Sequence, residues 1–184
     1  MKKPDPVIEP GATIGILGAG QLGRMLAFAG ARLGLKSHIY APDAGEPAFD
    51  VAAGGTVAAY EDEAALAGFA EAVDVITYEF EFIPAATAAF LAERRPVHPG
   101  PLALEKTQDR LIEKRFLNDL DVATAGFAAI DSAEAIAPAL TSFSGAGILK
   151  TRRFGYDGKG QAMIRDARKG EAAFASFGKV PAIL

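Results

Sequence analysis

From Thr13 onward, short β-branched or aliphatic runs alternate with longer alanine- and leucine-rich stretches, a rhythm that confines the first part of the chain to βα units around a parallel sheet. "TIGIL" (Thr13–Leu17) reads as a buried strand, "GAGQLG" as a glycine turn, and residues 21–33 as a helix closed by Gly34 in the left-handed C-cap position. "SHIY" (Ser37–Tyr40) is the second strand and "TVAA" (Thr56–Ala59) a weak third. A helix over "EDEAALAGFAEA", with acids in its first turn, then leads into a stronger strand, "VDVITYEF". The next helix runs from Pro84 to about Arg94 with proline at its first position, and the proline cluster "PVHPGP" (Pro96–Pro101) marks the edge of a first domain.

Beyond this cluster the rhythm changes. "DRLIEKRFLNDL" (Asp109–Leu120) is helical: Ile112, Phe116 and Leu120 repeat every fourth residue, leaving Arg110 and Lys114 together on a neighbouring face. "GFAAI" reads as a strand, and "DSAEAIAPAL" as a short helix opened by Asp131, with Glu134 completing a capping box. "GILK" and "QAMIR" are strands joined by a glycine-rich loop, hence an antiparallel hairpin. The fold class is therefore α/β, a parallel-sheet domain followed by a smaller α+β module. The expected divisions are an arm at 1–12, a first domain at 13–100, a linking helix at 101–122 and a second module at 123–184. "KVPAIL" at the end reads as the start of an unpaired apolar strand, which suggests part of a longer protein.

Half of the 184 residues are apolar and 23% are charged, an ordinary globular composition. A net charge of −4 argues against the broad basic face that nucleic acid or an anionic membrane requires. With no cysteine there is no disulfide, thiolate metal site or cysteine nucleophile. The first twenty residues lack the uninterrupted apolar stretch of a signal peptide, and no run is long enough to span a bilayer, so the expectation is a cytoplasmic protein.

Three stretches carry chemistry. Gly18-x-Gly20-x-x-Gly23 follows a strand and opens a helix, where free N–H groups and the helix dipole favour an anion. With Asp43 twenty residues on, it permits a nicotinamide-dependent oxidoreductase; equally, the glycines can serve helix–strand packing while Asp43 bonds its own turn. In "ITYEFEF" the pleat sends Glu79 and Glu81 to one face at the carboxyl end of a strand; Glu79 is the candidate for holding ribose hydroxyls or an amine, and Glu81 a solvated residue. His38 and His98 are isolated from each other and read as structural.

The third stretch is "KTRRFGYDGKGQ" (150–161). Lys150 ends an apolar strand, Arg152, Arg153 and Lys159 add charge, and Gly155, Gly158 and Gly160 free backbone N–H groups to wrap an oxyanion. A polyphosphate suits this loop, and a hairpin over phosphates suggests a closing lid. No Gly-Lys-Ser/Thr precedes a helix, so this is not a Walker loop. A solubilising hairpin tip and a base-stacking surface using Phe154 and Tyr156 are the blander alternatives.

Taken in order and spacing, "IGILGAGQLGRM", "TYEFE", "KTQDRLIEKRFL" and "LKTRRFGYDGKGQ" resemble the N-terminal half of the 5-(carboxyamino)imidazole ribonucleotide synthases, a family within the ATP-grasp superfamily. The resemblance runs from about Thr13 to the last residue and implies a Rossmann-like domain followed by the start of an ATP-grasp module with a glycine-rich hairpin lid. It also implies ATP- and Mg²⁺-dependent activation of bicarbonate as carboxyphosphate, and carboxylation of 5-aminoimidazole ribonucleotide in purine biosynthesis, by a homodimer. At matching positions, Arg110, Lys150, Gly155, Tyr156, Asp157, Gly158, Lys159, Gly160 and Gln161 would hold ATP. Lys150 and Asp157 would be catalytic, and Gly20, Gln21, Glu79 and Asp157 would meet the ribonucleotide. The resemblance places the adenine segment, the Mg²⁺ ligands and further substrate-phosphate contacts beyond Leu184, so the chain is expected to bind no metal and not to turn over alone. The remaining alternatives are the nicotinamide enzyme and a non-catalytic nucleotide-binding module.

Overall fold

The computed structural model describes residues 7–155 and 158–184. The chain divides into two compact units, residues 1–105 and 106–184.

The first unit is built on four parallel strands, β1 (Thr13–Leu17), β2 (Lys36–Ala41), β3 (Gly54–Val57) and β4 (Val75–Tyr78), in the order β3-β2-β1-β4. Successive strand residues point to opposite faces, so each face of the sheet has its own core. Leu17, Tyr40 and Ile76 meet Leu66, Phe69 and Leu91 on one side; Ile16 and Ile39 meet Ala27 and Ala48 on the other. Helix α1 (Gln21–Arg32) buries Gly23, Ala27 and Gly30, small residues that permit close approach to the sheet. A Cβ at Gly23 would stand 2.7 Å from the Gly18 carbonyl oxygen, so the third motif glycine serves packing. Gly34 follows the helix with φ +76°, as its predicted C-cap role requires.

Helix α2 (Glu63–Glu71) is capped by Asp62, whose carboxylate accepts from the Ala65 N–H at 3.0 Å. Helix α3 (Ala85–Ala92) has Pro84 as its N-cap, one position before the site expected from sequence. Two strands differ from expectation. β3 begins at Gly54 because Gly54 and Gly55 leave room for the His38 and Phe49 rings, which a Cβ would approach to 3.0 and 2.7 Å. β4 stops at Tyr78, paired with Leu17, the last residue of β1; past it there is no neighbouring strand, so the pleat does not extend through Phe82.

Helices α4 (Pro101–Thr107) and α5 (Arg110–Asp119) stand where the sequence suggested one linking helix. The predicted apolar stripe of α5 is also corrected: Leu111 is buried, whereas Ile112 and Leu120 are exposed.

The second unit contains β5 (Ala129–Ile130), β6 (Gly147–Thr151), β7 (Gln161–Ile164) and β8 (Ala182–Ile183) in an antiparallel sheet of order β5-β8-β6-β7. The expected hairpin is present, with Lys150 opposite Gln161 and Gly147 opposite Ile164. Helices α6 (Ile136–Ser142) and α7 (Ala167–Ser176) cover one face through Ile136, Leu140 and Phe174. A 3₁₀ turn at Ala133–Ala135 precedes α6; its N-cap is Ser132, which makes no side-chain cap hydrogen bond, so the capping box read from Asp131 does not form. The terminal apolar strand is not unpaired: β8 lies between β5 and β6.

Candidate functional site

The first unit carries a cavity of about 220 Å³ at the carboxyl ends of its strands, lined by Gly18, Gly20, Asp43, Glu46, Tyr60 and Glu79 among others. The chain brings these together at the point where successive connections leave the sheet in opposite directions, the usual ligand position of an open α/β sheet. The glycine loop does not present a vacant anion site there. The Gly20 N–H donates to the Glu79 carboxylate, and a Cβ at Gly18 would fall 2.7 Å from Glu79 Oε1. The anion favoured by the start of α1 is thus the protein's own.

Burial pushes the Glu79 carboxyl above its ordinary value; the negative charges of Glu46 and Glu81 add to this, and the Gly20 bond opposes it. The Tyr60 phenol is raised to about 12, first by burial and then by Glu79 and Glu46, so it remains a hydrogen-bond donor at neutral pH. Gly20 and Glu79 are therefore brought together as expected, while Gln21, in the first turn of α1, is exposed and does not line the cavity. Asp43 lines it but also accepts from the Gly45 N–H at 2.8 Å, the turn arrangement. Glu46 and Tyr60 were not singled out from sequence; an acid and a phenol in two unrelated loops carry no spacing signal. His38 has a structural setting: its Nε2 pairs with Thr56 Oγ1 at 2.9 Å, and burial lowers its pKa.

The second unit gathers cations. Arg110, Lys150, Lys159 and Gln161 line a small cavity of about 70 Å³ together with Gly155, Gly158 and Gly160. Gly158 and Gly160 have φ of +79° and +67°, the left-handed conformation that turns successive N–H groups to one side. Below them lies Thr151, whose Oγ1 would be 2.6 Å from a Cβ at Gly160. Tyr156 and Asp157, both expected at this site, lie outside the described residues. A second cavity of about 350 Å³ shares Arg110 and Lys150 and is walled by Phe127, Phe143 and Leu184, with Lys114 at its edge. An apolar chamber next to a cationic one suits a ligand with an aromatic and a polyanionic end.

Two of the loop's cations are held by protein groups instead. Arg152 grips Asp109 through two nitrogens, Nε to Oδ1 at 3.0 Å and Nη2 to Oδ2 at 2.7 Å. Arg153 Nη2 donates to Gln108 Oε1 at 2.9 Å. Asp109 also caps α5, accepting from the Leu111 and Ile112 N–H groups at 2.9 and 3.3 Å. Burial alone would raise its carboxyl; Arg152 and these two amides outweigh that and hold it below the ordinary value. Among the described residues, no three acidic or histidine side chains converge on one point.

A parallel-sheet domain with an acidic strand-end cavity, followed by a module with a glycine-rich cationic hairpin, defines the opening of an ATP-grasp protein. A family model of the ribonucleotide synthetase preATP-grasp domain matches residues 11–108, and one of the ATP-grasp domain matches residues 115–184. The chain belongs to the ribonucleotide synthetase preATP-grasp family. It is 52% identical over 179 residues to the N5-carboxyaminoimidazole ribonucleotide synthase of Brucella melitensis, covering 96% of this chain and 49% of that protein. With the Pseudomonas aeruginosa synthase it shares 41% over 175 residues, 93% of this chain and 47% of the other. The crystal structure of N5-carboxyaminoimidazole synthetase from Staphylococcus aureus complexed with ADP superposes with a TM-score of 0.90 at 35% identity, covering 96% of this chain and 47% of that one. The chain spans about half the length of the curated relatives it matches.

Proposed function

We propose that this chain is the ribonucleotide- and phosphate-binding portion of an ATP-dependent N5-carboxyaminoimidazole ribonucleotide synthase. The observation that carries the reading is the convergence of Arg110, Lys150 and Lys159 with three loop glycines on one small cavity between antiparallel strands. In the proposed reaction, a bicarbonate oxygen attacks the γ-phosphorus of ATP, and the bond to the β-bridging oxygen breaks, giving ADP and carboxyphosphate. The exocyclic amine of 5-aminoimidazole ribonucleotide then attacks the carboxyl carbon, phosphate leaves with its electron pair, and the amine loses a proton.

Fixed cations and backbone N–H groups stabilise the charge spread over the transferring phosphoryl oxygens and need no reorganisation at that moment. Lys150, Arg110 and the loop from Gly155 to Gln161, including Tyr156 and Asp157, are assigned to the nucleotide, with catalytic roles for Lys150 and Asp157. Gly20, Gln21, Glu79 and Asp157 are assigned to the ribonucleotide; Glu79, which lines the strand-end cavity, would accept from an amine or ribose hydroxyl. The nicotinamide alternative is opposed by electrostatics, since the Glu79 carboxylate already sits against Gly18 and Gly20 where a pyrophosphate would approach.

The reading extends to a cytoplasmic homodimer in purine biosynthesis. No described helix is long and apolar enough to cross a membrane, and Leu22 and Met25 of α1 and Leu33 at its C-cap stand exposed, an apolar stripe suited to a second copy.

The test is ADP release by the protein that carries this chain, with bicarbonate and Mg·ATP, with and without 5-aminoimidazole ribonucleotide. The expected result is ribonucleotide-stimulated ADP release that falls at least a hundredfold in Lys150→Ala. A folded, ATP-binding protein that the ribonucleotide does not stimulate would refute the acceptor.

A further inference from the structure

The phosphate cavity poses an electrostatic problem. Arg110, Lys150 and Lys159 line one space of about 70 Å³, and like charges brought together repel. A free arginine would relieve this by swinging into water, gaining rotamer entropy as well. Arg110 does not do so: its Nη2 donates to the Gly155 carbonyl at 2.8 Å, and its backbone N–H donates to the Arg152 carbonyl at 3.0 Å. Both acceptors lie on the segment leaving β6, and that segment is itself tied to the start of α5 by the Arg152–Asp109 and Arg153–Gln108 contacts. The acceptors Asp109 and Gln108 are 5% and 6% exposed, and the contacts are part-buried, so water competes with them less than with a fully exposed pair.

We propose that Asp109 and Arg152 form a latch that fixes the start of α5 against the outgoing end of β6, and that they are positioning residues for the polyphosphate held by Arg110 and the loop. The latch rests on the function proposed above only for the identity of its anion. It explains why two of the loop's arginines face protein acceptors: Arg152 is neutralised so that Arg110, its neighbour across the contact, stays in place with its remaining N–H groups available. It also explains the double use of Asp109, whose carboxylate caps the same helix on which Arg110 is the first residue. Any shift of that helix start moves Arg110 with it.

Asparagine caps a helix about as well as aspartate, so Asp109→Asn keeps the cap while removing the charge that holds Arg152. Because this strands a half-buried cation, the companion is Asp109→Asn with Arg152→Met, in which the charge is gone and the stem volume is retained; such replacements of ion pairs are often neutral for stability. Arg152→Lys keeps charge without the two-pronged grip.

Two readouts are taken on the protein carrying the chain. In hydrogen exchange, the Arg110 and Thr151 amides are expected to exchange about tenfold or more faster in the double variant than in wild type, with α7 unchanged; Arg152→Lys falls between. In steady-state kinetics, KM for ATP is expected to rise about tenfold or more, while KM for the ribonucleotide is unchanged. A folded double variant with wild-type exchange at Arg110 and Thr151 overturns the latch, whatever its kinetics. If wild-type protein shows no ATP-dependent turnover, the proposed reaction fails, and the exchange comparison still decides the latch.

Discussion

Glu79 shows how one residue can invert the meaning of a motif. The Gly18-x-Gly20-x-x-Gly23 loop offers a helix N-terminus to an anion, and the chain fills that position with its own carboxylate, in a setting that raises its pKa through burial and the charges of Glu46 and Glu81. The consequence for stability has a definite sign. Between the ordinary value of 4.5 and the raised folded value, the folded chain binds more protons at this site than the unfolded chain, so this group's contribution falls as pH rises through that window. Glu46→Gln removes one of the opposing charges. We expect a downward shift of the Glu79 carboxyl titration, followed by ¹³C NMR, and a smaller loss of stability as pH rises above 4.5. An unchanged Glu79 titration would show that the Glu46 charge does not contribute to its raised pKa. From sequence, Glu79 was legible through its place at a strand end, and Lys150 and Arg110 through theirs. The opposite assignments of the neighbouring arginines were not, because Asp109 and Gln108 lie 43 and 45 residues from their partners Arg152 and Arg153. Charge count along a loop does not say which cations are already paired.

At the scale of elements, the hairpin was readable because its arms are apolar runs bounded by glycine and charge. β3 was harder: Gly54 and Gly55 look like strand breakers, yet ring packing by His38 and Phe49 selects them. The start of α5 at Asp109 was read, whereas α4 as a separate helix was not, since only Leu104 of its seven residues is buried. Within the hairpin loop, two glycines that look alike in sequence should differ in cost. Gly158 has φ +79°, and a Cβ there would meet Gln161 Nε2 at 3.8 Å, an ordinary contact, so Gly158→Ala should cost mainly the left-handed strain, about 1–2 kcal/mol. Gly160→Ala adds a Cβ at 2.6 Å from Thr151 Oγ1, beneath the loop, and should cost at least about 1 kcal/mol more. Thermal unfolding of the two variants compares them directly; equal losses would mean that Thr151 moves aside and the loop floor is soft.

For the whole molecule, the sequence announced a change from parallel to antiparallel architecture. It did not reveal that the last described strand becomes an interior one. The pairing of "PAIL" is with segments distant in sequence: β8 bonds to β5 on one side and β6 on the other, with Ala182 fully buried. The second unit's core therefore depends on a strand contributed from its far end, a long-range pairing that local patterns cannot carry. A single charge there tests how separable the two units are. Ala182→Asp places an unpaired carboxylate among Leu149, Ile164 and Phe174, members of the same core cluster, at a cost of about 3 kcal/mol or more. Because the two units have separate cores, we expect amide NMR signals of β5 to β8 to collapse or broaden while those of β1 to β4 keep their wild-type shifts. Loss of both sets together would show that the first unit needs the second in order to fold; retention of both would show that β8 can be displaced without loss of the sheet.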